Sequence, residues 1–198
     1  MKGLVLINTA IFSPIYKRVA ESLIKNGIEV CIATDSEFSV RKYGLDSLGC
    51  EIFSFEDYIN SEALFVSDEK NVSFDKWNVH SDFDRENYYK SIPDGDVNFW
   101  GEISSHLYGF FESVFSDNNF DFVFYENVSN GLAYTADKMA NKYNVPYLGL
   151  TTSRIPGMSL FSSLDDRLAD DISKLVDILP VPSAEDLQEI TDYIDNIQ

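Results

Sequence analysis

A chain of 198 residues with 33 acidic and 15 basic side chains carries a formal charge of −18. That balance excludes a surface built to hold nucleic acid or an anionic bilayer, because either needs clustered lysine and arginine. With 44% hydrophobic and 14% aromatic residues the chain can bury a substantial core, and its acidity reads first as a solubility-keeping surface.

Cys31 and Cys50 fall in predicted strands without metal-type spacing, as core thiols of a reducing compartment do. His80 and His106 lie far apart and form no zinc pattern. Neither a metal nor a cofactor is expected. The segment Gly3 to Phe12 lacks the long apolar region and cleavage site of a signal peptide and suits a first strand. No apolar run is long enough to cross a bilayer. The expected location is the cytoplasm, with attachment to the inner membrane left to other parts of a larger enzyme.

In chain order, Gly3-Leu-Val-Leu-Ile-Asn8 has the continuous apolar character of a central parallel strand. Ser13-Pro14 then predicts a helix capped by Ser13, with a stripe of Ile15, Val19, Ala20, Leu23 and Ile24 closed by Gly27. Residues 28 to 34 form a second strand ending at Asp35, which completes a βαβ unit with a right-handed crossover. Residues 36 to 48 read as partly helical, 50 to 55 as a strand and 56 to 64 as a helix. Residues 65 to 95 carry little periodicity and read as a functional loop or small insertion. Asp96 can cap a helix whose stripe is Phe99, Ile103, Leu107, Phe110, Phe111 and Val114, a pattern that speaks for core packing.

A fourth strand at 121 to 126 stops at Glu126 and turns into a helix capped by Ser129, and Val145 to Leu150 is the fifth strand. The expected fold is thus α/β, a Rossmann-like doubly wound parallel sheet over residues 1–160 with strand order 3-2-1-4-5. Residues 161–198 follow as an acidic helical extension, with helices near 163 to 178 and 183 to 196. The sequence ends inside the last helical pattern without a closing turn, an expectation of a second domain beyond it.

Ligands of open α/β sheets bind just past the carboxyl ends of the strands. Asn8, Asp35, Glu126 and Arg154 are expected along that edge. The turn after the first strand, Asn8-Thr-Ala-Ile-Phe-Ser13, contains no glycine, which excludes a dinucleotide fingerprint and a phosphate-cradling loop. No Gly-x-Ser-x-Gly elbow is present. Glu126, beside Asn127, Ser129 and Asn130, suits a general base; capping a helix or pairing with Arg154 are its plain alternatives. Arg154, next to Ser153, suits a ligand carboxylate or phosphate, or else an ion pair with Glu126 or Asp35. Asp82, Asp84 and Arg85 form a charged patch that can equally be a solvated surface.

Glu126-x-x-Ser129-Asn130-Gly131, Pro146-Tyr-Leu-Gly-Leu150, Ser153-Arg154-Ile-Pro-Gly157 and Asp82-x-Asp84-Arg85-Glu86-x-Tyr88 together resemble the amino-terminal half of bacterial capsule and lipopolysaccharide biosynthesis proteins. These are glycosyltransferases of the two-Rossmann-domain (GT-B) type, some of them Kdo transferases. The resemblance implies an acceptor-binding domain, with the nucleotide-sugar donor held mainly by a second domain. It implies that an acceptor hydroxyl is deprotonated between the domains. Glu126 would be the base, and Asn8, Asp35, Asp82, Arg85, Asn130, Ser153 and Arg154 would contact substrate. The rival reading is a non-catalytic binding or assembly domain acting through the acidic helices.

Overall fold

The computed structural model describes residues 1–8, 12–61, 97–128, 130–152, 159–162 and 183–197. Its central strand is β1 (Lys2–Ile7), buried at five of its six residues because crossover helices cover both faces of a parallel sheet. Helix α1 (Ser13–Lys25) carries the chain to β2 (Glu29–Thr34), parallel to β1 with Lys2 opposite Glu29 and Ile7 opposite Thr34. Helix α2 (Glu37–Tyr43), a 3-10 turn (Leu45–Leu48) and β3 (Glu51–Ser54) extend the sheet outward, and helix α3 (Phe55–Asn60) follows.

Helix α4 (Val97–Ser116) leads to β4 (Phe122–Glu126), which pairs with the opposite side of β1. Helix α5 (Gly131–Lys142) and β5 (Tyr147–Thr152) repeat the βαβ unit. The sheet order is β3-β2-β1-β4-β5-β6, an α/β Rossmann-like fold whose first five strands follow the expected order. The strand β6 (Ser159–Ser162), antiparallel to β5, is an addition the sequence reading does not contain. By contacts the chain divides into two compact units, Met1–Leu164 and Asp165–Gln198.

The crossovers switch direction at β1, so right-handed connections put α1 and α2 on one face and α4 and α5 on the other. Helix α4 buries Leu107, Phe110, Phe111, Val114 and Phe115, and Phe110 meets the rings of Phe55 and Tyr58 edge-on. Glu112 ties α4 to α5, accepting from Lys142 and from the Tyr143 hydroxyl, each at 2.7 Å. Burial pushes the Glu112 carboxyl up, but these two donors outweigh it and hold it below its ordinary value.

Three local expectations change. Ser13 does not cap α1: the helix already begins at Ser13, because Phe12 has helical dihedrals and its carbonyl takes the Ile15 N–H at 2.8 Å. The Ser13 hydroxyl instead donates to the carbonyl of Asn8, tying the helix start to the end of β1. The buried face of α1 is Ser13, Tyr16 and Ala20, while Ile15 is 46% exposed. The helix after β4 is capped by Asn130, whose Oδ1 accepts the Ala133 N–H at 2.9 Å.

Gly27 does close α1. With φ at +78° it lets its own N–H reach the Ile24 carbonyl and the Ile28 N–H reach that of Leu23, a Schellman ending. In the second unit, helix α6 (Ala184–Ile197) starts in a reciprocal cap, with Ser183 and Asp186 each accepting the other's backbone N–H. The expected loop at 65–95, the Asp96 cap and the helix near 163 to 178 lie outside the described residues.

At the amino edge of the sheet, Lys2 is the fastener. Its N–H donates to Asp121 at 2.7 Å, and its ammonium meets Asn118 at 2.9 Å and Glu29 at 3.0 Å. Beside it Gly3 faces Phe122, and a Cβ built at residue 3 would lie 2.2 Å from the ring. Gly3→Ala should therefore destabilise the protein by about 1–3 kcal/mol, the range for overpacking, and Gly3→Ala with Phe122→Leu should recover part of that loss. Thermal or urea unfolding of both variants checks this.

Candidate active site at the carboxyl edge of the sheet

All five parallel strands end at one edge, and the register levels those ends. Thr34 stands opposite both Ile7 and Ser54, and Glu126 opposite Leu150. Val5 stands opposite Phe124, so two residues further Ile7 is level with Glu126. Asn8 is one position beyond. Between β1 and β4 the connections depart in opposite directions, the switch point where an open α/β sheet leaves a crevice. Asn8 and Glu126 are the strand-end residues on its two sides.

Glu126 is half-buried, and one oxygen of its carboxylate accepts from the Asn130 side-chain amide. Asn130 is 0% exposed and uses its other amide end as the cap of α5. The carboxylate is therefore pinned to the start of a helix, whose first N–H groups favour negative charge nearby. Below it lies a cluster of phenols. Tyr16 packs on Tyr125 with ring centroids 5.1 Å apart, and the Tyr147 hydroxyl donates to the backbone carbonyl of Glu126 at 2.9 Å.

Burial first, and then the charge of Glu126, pushes the Tyr16 phenol well above its ordinary value. Tyr147 is pushed up likewise, by burial and then by Asp137, Glu126 and Tyr16. Asp137 is itself fully buried on α5, and its carboxylate accepts from the Asn141 amide at 3.3 Å.

The edge beyond β2 is built differently. One oxygen of Asp35 is approached by three hydroxyls, from Ser39 at 2.5 Å, Ser36 at 3.3 Å and Thr34 at 3.4 Å. Ser36 also caps α2. Asp35 thus organises the turn at the strand end where it was expected. The side chain of Asn8 is buried, so at the crevice wall it offers chiefly packing and polarity. Phe12 and Phe38, at the starts of α1 and α2, are exposed aromatic side chains on this edge.

Of the expected site residues, Asn8, Asp35, Glu126 and Asn130 share the carboxyl edge. Asp82, Arg85, Ser153 and Arg154 lie outside the described residues. Tyr16, Tyr147 and Asp137 were not anticipated. A tyrosine three positions after Ser13 and a tyrosine opening a strand were legible as amphipathic core residues, but nothing in their spacing points to Glu126. Among the described residues no group of His, Cys, Asp and Glu could hold a metal ion.

Fold and edge together define a Rossmann-like α/β protein with a carboxylate at its topological switch point. No family model matches the chain, and no curated protein matches it.

The phenol cluster has a pH consequence. Folded Tyr147 keeps its proton above pH 10, where the unfolded chain has lost its own, so the unfolded state binds fewer protons and stability falls as pH rises. The contribution is complete below about pH 10 and is lost above it. Melting temperatures followed from pH 8 to 12 should drop above about pH 10. Tyr147→Phe should flatten part of that drop, while losing the bond to the Glu126 carbonyl at about 0.5–1.5 kcal/mol.

Proposed function

We propose that this chain is the acceptor-binding part of a glycosyltransferase that builds a bacterial surface polysaccharide. The observation that carries the reading is the placement of Glu126, half-buried at the switch point and held by Asn130 at a helix start. A carboxylate there can take the proton of an acceptor hydroxyl as its oxygen forms a bond to the anomeric carbon of the donor sugar. The bond from that carbon to the phosphate oxygen of the nucleotide breaks, and the nucleotide leaves with the electron pair. Glu126 is then left protonated and returns its proton to solvent.

Exposed Phe12 and Phe38 suit the apolar C–H face of a pyranose ring, while Asp35 and its hydroxyls suit the ring's polar substituents. In this reading Asp82, Arg85, Ser153 and Arg154 supply further substrate contacts, and the nucleotide-sugar donor is held mainly by a second domain. The sequence resemblance to capsule and lipopolysaccharide enzymes supports the same class. Synthesis of this kind places the protein in the cytoplasm. Among the described residues no helix is long and apolar enough to cross a membrane.

Glu126→Gln in the full enzyme should lower the sugar-transfer rate about 10²-fold or more, as loss of a general base does, with the melting temperature little changed. Transfer at the original rate would remove Glu126 from the chemistry.

One observation favours a second reading, a non-catalytic assembly domain. On α6, Leu187 and Ile190 are 53% and 51% exposed, and a spacing of three sets them on one helix face. Around them stand Glu185, Asp186, Glu189, Asp192 and Asp195. If assembly is the role, Leu187→Asp with Ile190→Asp should abolish association with the partner complex in sedimentation. Under the transferase reading the same pair leaves catalysis intact.

A further inference from the structure

We infer that Asn130 is a positioning residue for Glu126 rather than a ligand contact, joining the orientation of the carboxylate to the first turn of α5. The inference rests on the reading of Glu126 as the base, and it adds a residue whose work is done without touching substrate. Three facts carry it. Asn130 has no exposed surface, which leaves a ligand nothing to meet. Its Oδ1 accepts the Ala133 N–H at 2.9 Å, which fixes the plane of the amide. With the plane fixed, Nδ2 is aimed at Oε1 of Glu126, four residues earlier in the chain.

The two functions of the amide are chemically separable. Capping needs only an acceptor at the end of a short side chain, whereas the hold on Glu126 needs a donor. A donor to a carboxylate favours its ionised form and restricts its rotamers. A base required to begin its cycle unprotonated gains on both counts.

Asn130→Ser keeps an acceptor for the Ala133 N–H and removes the Nδ2 donor, leaving a hydroxyl on a shorter side chain. Asn130→Asp keeps the cap and replaces the donor with a like charge. The test is a carboxyl titration of the 198-residue chain by NMR with labelled glutamate, Glu126→Gln serving to assign the signal. In Asn130→Ser the Glu126 midpoint should rise by about one pH unit, the size of a lost hydrogen bond to a charged group. Asn130→Asp should raise it further and lower the melting temperature, because it sets a second carboxylate in a buried place, whereas Asn130→Ser should keep the melting temperature close to the parent. A residue that serves only as a cap would leave the Glu126 titration unmoved in Asn130→Ser, and that result overturns the inference.

No substrate enters this measurement, so it stands apart from the transferase reading. In the full enzyme the acidic limb of the kcat profile should move upward by the same amount as the titration. A moved titration with no sugar transfer would count against the transferase reading alone.

Discussion

The pairing of β1 with β2 on one side and β4 on the other is the constraint on which the rest depends. Both pairings are parallel, and neither could be made by a hairpin, so each neighbour must be reached through a crossover. Because the crossovers run in opposite directions from β1, its carboxyl end is the switch point at which open α/β sheets bind ligands. Gly3 shows how closely the central pair approaches, since its missing side chain is the space the Phe122 ring occupies. The site exists because the sheet is wound outward from its middle.

The two edges of the sheet are then put to different use. At the amino edge, charges are tied among themselves, with Lys2 bonded to Glu29, Asn118 and Asp121. At the carboxyl edge the acids are presented by strand ends. Asp35 accepts from the Ser39 hydroxyl and Glu126 from the Asn130 amide. Beneath Glu126 the buried phenols of Tyr16 and Tyr147 remain protonated and so add no competing negative charge. A carboxylate bonded to a buried amide beside buried phenols is suited to proton transfer.

Much of the fold was legible in the sequence. Apolar runs such as Gly3 to Ile7 and Phe122 to Tyr125 report strands covered on both faces, and the alternation of strand and helical stripe fixes a parallel sheet. The antiparallel β6 was missed because four residues, Ser159 to Ser162, carry too little periodicity to outweigh the polar segment before them. Helix starts were misplaced by one residue at α1, which begins from Phe12 without a side-chain cap, and at α5, where two adjacent polar side chains could serve. Ser13 found a better acceptor in the Asn8 carbonyl, and Asn130 rather than Ser129 caps α5.

Of the site, position was legible but partnership was not. A carboxylate at the end of a strand marks an edge, so Asp35 and Glu126 could be placed together from the chain alone. Tyr147 stands opposite Val123 and meets Glu126 only through the reach of its hydroxyl to the Glu126 carbonyl, and Tyr16 follows from the way α1 turns about its axis; both are set by tertiary packing. The most direct measurement of the account is backbone NMR of the chain titrated with a panel of neutral and acidic pyranoses. Resonances of Asn8, Asp35, Glu126 and Asn130 should shift together with saturation, while those of Lys2, Glu29 and Asp121 stay in place. Shifts confined to the amino edge or to α6 would contradict it.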